Sequence, residues 1–186
     1  MKRFPKKKYS IIYADPPWGY SDKANGTGAR GGAELHYSTM TIVDICNLPV
    51  NTITNPNALL FLWCTWPMIN EGMRVIESWG FEFKTCGFVW VKANKRYQEG
   101  DLFKPFFGLG RYTRSNTEFC LIGKKGKGIK RKDASVHQII HTPIEGHSKK
   151  PDLARDKIVQ LCGNVSRIEL FARQKTKCWD VWGNEV

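Results

Sequence analysis

The sequence predicts an α/β protein in which a mainly parallel, doubly wound sheet carries helices on both faces. Apolar, β-branched runs recur from residue 9 to residue 172, and amphipathic stretches stand between several of them. At 186 residues with 41% hydrophobic and 12% aromatic side chains, the chain is long and apolar enough to close one core, so a single domain over 1–186 is expected.

Tyr9-Ser-Ile-Ile-Tyr-Ala14 reads as a buried strand that Pro16 and Pro17 must end. Residues 20–35 hold Gly26, Gly28, Gly31 and Gly32 with Lys23, Arg30 and little apolar material, which predicts a mobile loop. It lacks the Gly-Lys-Ser/Thr ending of a phosphate-binding loop, so closure over a substrate is the better reading. Residues 41–48 predict a short helix stopped by Pro49, and residues 58–63 a second buried strand. Pro67 opens a helix that places Ile69, Met73 and Ile76 on one face and stops at Gly80. Further strands are predicted over 86–91, 118–122 and 136–141. The final pair is a helix over 151–162, with Leu153, Ala154, Ile158, Leu161 and Cys162 inward, and a strand over 167–172. Residues 93–117 and 124–134 complete the expected mobile loops.

Lys and Arg number 29 against 17 Asp and Glu, a net charge of +12 that suits a phosphate-backbone binder, although basic charge also serves solubility alone. Lys95, Arg96, Arg111 and Arg114 lie among Tyr97, Phe103, Phe106, Phe107 and Tyr112, a mixture suited to nucleic acid. Lys124, Lys125, Lys127, Lys130, Arg131 and Lys132 form a second basic run that is either a solvated hairpin or a phosphate contact. The six Cys include no C-x-x-C pair and predict reduced core thiols in a cytosolic protein. No run is long and apolar enough for a leader or a membrane span, so a cytoplasmic location is expected. His137 and His141 lack the glutamate of H-E-x-x-H and on a strand stand about 13 Å apart, so no metal site is expected.

In open α/β sheets ligands bind beyond the carboxyl ends of strands, which makes Asp15-Pro16-Pro17-Trp18 a site by position. The plain structural reading is an Asp-initiated turn followed by a core Trp. The chemical reading is a carboxylate and a proline carbonyl, fixed by a rigid turn beside a large aromatic ring.

Beyond these four residues, the chain carries His36-Tyr-Ser-Thr-Met40, Leu59-Leu-Phe-Leu-Trp63, Trp79-Gly-Phe81, Val89-Trp-Val-Lys92, Glu118-Phe-Cys-Leu-Ile-Gly123, His147-Ser-Lys-Lys-Pro-Asp152, Ile168-Glu-Leu-Phe-Ala-Arg173 and Trp182-Gly-Asn184. In that order and over nearly its whole length it resembles the MT-A seventy (MT-A70) family of S-adenosylmethionine-dependent adenine N6-methyltransferases. The resemblance implies a permuted Rossmann-like methyltransferase fold, S-adenosylmethionine as cofactor and nucleic acid as partner, with DNA favoured over RNA. It assigns Asp15, Pro16, Pro17, Trp18 and Tyr37 to catalysis. Lys150 would neutralise the cofactor carboxylate, Glu169 and Arg173 hold its ribose, and Asn184 with Glu185 read its adenine, while Asp15 also borders the cofactor. Lys175, Thr176 and Glu185 replace the family's histidine, asparagine and glutamine, and the few residues ahead of Tyr9 are expected to lack an acidic cofactor contact that larger members make upstream.

An adenine amine is a weak nucleophile because its lone pair is conjugated with the ring. Two fixed acceptors, the Asp15 carboxylate and the Pro16 carbonyl, would turn that pair out of the base plane and stabilise the charge that nitrogen acquires. Trp18 or a nearby Tyr would stack on an extruded base. The readings left beside this one are a catalytically silent nucleic-acid-binding partner, an RNA adenine N6 enzyme and a DNA cytosine N4 enzyme.

Overall fold

The computed structural model describes residues 2–19, 39–100, 105–110, 112–146 and 148–186. Seven strands form one sheet in the order β5-β3-β4-β2-β1-β6-β7. They are β1 (Tyr9–Ala14), β2 (Thr54–Cys64), β3 (Glu82–Ala93), β4 (Thr117–Lys125), β5 (Ile139–Pro143), β6 (Arg167–Leu170) and β7 (Asp180–Trp182). The helices are α1 (Ile42–Cys46), α2 (Ile69–Ser78) and α3 (Leu153–Cys162). Every pairing is parallel except the two made by β4, so β4 alone runs against the other strands. This is the mainly parallel α/β architecture that the sequence predicts.

The central strands are buried on both faces, which is why they read as unbroken apolar runs. Ile12, Ala14, Leu60 and Leu62 face α1 and α2, whereas Ile11, Tyr13, Phe61 and Trp63 face α3. Helix α1 begins where the Thr41 side chain accepts the Asp44 N–H, an N-cap that satisfies one of the otherwise orphaned amides. Helix α2 follows a short 3-10 turn over Trp66–Met68 with Pro67 in its first turn.

Two inward faces differ from expectation. On α2, Gly72, Val75 and Ile76 are buried while Ile69 is exposed, because Gly72 lies against the Cys64 side chain and lets the helix approach β2 there. On α3, Leu153 points outward and Arg155 inward, since a buried acid on β6 outweighs apolarity at that position. β2, β3 and β4 extend well beyond their expected ends, β5 begins three residues later than its expected start at 136, and the three-residue β7 has too few positions to show a pattern.

Candidate active site

All the parallel strands deliver their carboxyl ends to one edge of the sheet, and reversed β4 delivers its amino end there. The segments following β1, β2, β6 and β7 and preceding α3 therefore meet around a cleft of about 490 Å³, a volume suited to a small-molecule ligand. Asp15, Pro16, Pro17 and Trp18 line it, as do Lys150, Arg173, Asn184 and Glu185.

The Asp-Pro-Pro-Trp turn is held at three points. The Trp18 N–H donates to the Pro16 carbonyl at 2.8 Å, closing a three-residue turn, and the Met40 N–H donates to the Pro17 carbonyl at 2.9 Å. The Trp18 indole N–H donates to the Trp63 carbonyl at 3.1 Å. The Pro16 carbonyl thus keeps a second lone pair and a fixed direction. Trp18 is 5% exposed, belongs to the core and forms one wall of the cleft.

Asp15 retains partial exposure and meets a cation. Lys150 Nζ donates to Asp15 Oδ2 at 2.9 Å and to the Ser148 carbonyl at 3.2 Å, and lies 3.2 Å from Glu118 Oε2. Lys92 holds the other Glu118 oxygen at 2.5 Å. Burial pushes the Asp15 carboxyl above its ordinary pKa, and Lys150 pulls it only part of the way back. Burial also opposes charge on Glu118, but two lysines overcome it and hold that carboxyl below the usual range. For Lys150 the burial penalty is outweighed by Asp15 and Glu118, which raise its pKa and keep it cationic.

The other end of the cleft is built from Phe171, Ala172, Arg173 and the residues that follow β7. Arg173 Nε stands 3.8 Å from Glu185 Oε1, with Asn184 exposed beside them in sequence. Phe171 and Ser148 border the cleft with left-handed backbones, φ 62° and 54°, a strain that surrounding structure must maintain.

Glu169, expected at the ribose, is not among the residues that line the cleft. It lies in register with Tyr13 on the α3 face, where Arg155 Nε and Nη2 donate to its two oxygens at 2.7 and 2.9 Å. Lys175 and Thr176 line a second hollow on that side with Gln174 and Trp179.

The basic candidates separate. Lys95, Arg96 and Arg114 occupy the connection from β3 to β4, at the cleft edge, where the Arg114 guanidinium covers the Phe107 ring at 4.5 Å and Tyr112 is exposed. Lys124, Lys125, Lys127, Lys130, Arg131 and Lys132 follow the reversed strand to the opposite edge. The extended chain from Glu118 to Lys125 spans about 24 Å, so this run does not border the cleft. Tyr37, Arg111 and the glycine-rich stretch 20–35 lie outside the described residues.

Glu118, Lys92 and Ser148 escaped the assignment of site residues. The available signal was a charge set against the end of an apolar run: Lys92 near the end of β3 and Glu118 near the start of β4 become neighbours because those strands run antiparallel.

Known proteins resemble this chain over nearly its whole length. The MT-A70 family model matches residues 9–185. A type II methyltransferase, M.MunI of Mycoplasma sp, is 37% identical over 199 residues, covering 99% of this chain and 80% of that protein. The human N(6)-adenosine-methyltransferase catalytic subunit METTL3 and an MT-A70-like N(6)-adenosine-methyltransferase of Drosophila melanogaster are each 26% identical over 181 residues. Those alignments cover 96% of this chain but only 28% and 27% of the two animal proteins.

Proposed function

Because the chain belongs to the MT-A70 family of S-adenosylmethionine-dependent adenine N6-methyltransferases, we propose that it methylates the N6 amine of adenine in DNA, acting in the cytoplasm, with Asp15 as the residue that grips the amine. One observation carries this reading: the Asp15 carboxylate stands on a hydrogen-bonded turn at one end of a cleft that continues to Lys150, Arg173 and Asn184. The greater identity to the type II methyltransferase, with four fifths of that protein covered, favours DNA over RNA.

The donor set suits the cofactor. Lys150 is a cation for its carboxylate, and Glu118 Oε2, buried and engaged among the described residues by the 3.2 Å ion pair to Lys150, suits its ammonium group. Arg173 and Asn184 offer donors to the nucleoside portion above the apolar floor of Phe171 and Ala172. The cofactor supplies an electrophilic methyl group on a sulfonium. Asp15 and the remaining Pro16 lone pair accept the two amine hydrogens and so present the nitrogen lone pair to it. After transfer nitrogen carries one hydrogen too many, and Asp15, already the acceptor, is placed to receive that proton. Lys150 keeps Asp15 anionic until then and is a positioning residue for it.

The test is transfer from labelled cofactor to DNA and to RNA, followed by nucleoside analysis. The proposal expects N6-methyladenine, with DNA the better substrate. Label on cytosine N4, a preference for RNA, or no label on either polymer would remove it.

A further inference from the structure

Lys124, Lys125, Lys127, Lys130, Arg131 and Lys132 place six cations in nine positions at the edge opposite the cleft. Among the described residues no acid forms an ion pair with any of them. Glu82 faces Lys124 in register but gives its carboxylate to Lys84, and Asp133 accepts from Ser135 and Gln160. Lys8, exposed just ahead of β1, adds to the same edge.

The segment that bears these charges is tied down. The Lys127 N–H donates to Asn57 Oδ1 at 2.8 Å, the Gly128 N–H to the Lys125 carbonyl at 2.9 Å, and the Lys132 N–H to the Leu161 carbonyl at 2.7 Å. Gly126 takes φ 57° where an added Cβ would collide with the Pro56 carbonyl, so close approach to β2 fixes the turn. Cations held this close in sequence repel one another, and with no ion pair to Glu82 or Asp133 among the described residues, a row of phosphates is the counter-charge that fits.

We infer that this edge is a second DNA-binding surface, separate from the cleft, which holds backbone phosphates irrespective of sequence and retains the enzyme on a long polymer while the cleft samples adenines. The inference rests on DNA as substrate. Six base pairs of duplex on either side of a target adenine extend about 20 Å and fall short of the roughly 24 Å between the edges, so only longer DNA engages both.

The test uses the full chain with Lys127→Gln, Lys130→Gln and Arg131→Gln combined, all three being exposed side chains. The first probe is a fluorescent duplex of about 60 base pairs made only of guanine and cytosine. Its affinity is expected to fall roughly tenfold at 0.1 M salt, and the slope of log Kd against log salt to drop by about 2.7, which corresponds to three phosphate contacts. The second readout is methyl transfer: KM should rise on long DNA, while kcat and KM stay unchanged on a duplex of about 12 base pairs with one central adenine. An unchanged affinity and slope, absence of binding by the wild type, or an equal rise in KM on both lengths overturns the inference. The first probe holds no adenine, so a failure of adenine methylation leaves the binding result readable.

Discussion

At the scale of single residues, the chemistry depends on how one lysine is shared between two acids. In the proposed mechanism Asp15 stabilises the charge on nitrogen and receives its proton only when ionised, and burial sets its pKa above the ordinary 3.8, so the acid limb of kcat/KM should have its midpoint above that value. Lys150→Met removes the cation that pulls Asp15 back. The expected outcome is a lower rate at neutral pH and a limb displaced to higher pH, read from a pH–rate profile; a profile that keeps its midpoint would separate Lys150 from Asp15. Stability against pH is a poorer probe. A raised carboxyl such as Asp15 binds its proton more tightly in the folded state, so its contribution falls as pH rises from about 3.8 through the folded value. Glu118, held below its ordinary 4.5, contributes stability above that pH and loses it as pH falls through its folded value. The two oppose each other, and the kinetic profile isolates Asp15.

At the scale of elements, α3 is fastened to the sheet by the Arg155–Glu169 pair as well as by Ala154, Ile158 and Cys162. A buried pair is costly to break from one side because the remaining charge stays desolvated, so Glu169→Ala should lower the unfolding free energy by about 3–5 kcal/mol in urea titration. Replacing both partners, Arg155→Met with Glu169→Leu, should recover most of that loss. The two candidate roles for Glu169 part at the cofactor. Glu169→Ala should leave the cofactor KM of the folded fraction unchanged, whereas Asn184→Ala should raise it, and the opposite ranking would return Glu169 to the ribose. The sequence makes the central strands legible because burial on both faces leaves them almost wholly apolar. Arg155 and Glu169 were not legible as partners, since two charges on different elements show no periodicity.

For the whole molecule, the reversal of β4 decides what each segment can reach. An apolar run has no direction in sequence, so the sequence does not say which basic stretch lies on the cleft side; the fold separates Lys95 and Arg114 from Lys127 and Arg131. The same reversal brings Glu118 to the cleft, next to Lys92 and Lys150. The first-strand turn, Lys150, Arg173 and Asn184 were legible through motif order, and the structure gathers them at one edge although 135 positions separate Asp15 from Lys150. Arg114 and its cation–π partner Phe107 stand at that edge, so Arg114→Gln should raise KM on short and long DNA alike, in contrast to the remote basic edge.

The measurement that tests the central claim most directly is labelled-methyl incorporation at adenine N6 of DNA by the wild type and by Asp15→Asn, a near-isosteric change that keeps one acceptor and removes the charge. Loss of a fixed group that stabilises transition-state charge should cut the rate by about 100-fold or more, with the thermal unfolding midpoint of the variant close to that of the wild type. Incorporation by Asp15→Asn at the wild-type rate would contradict the account.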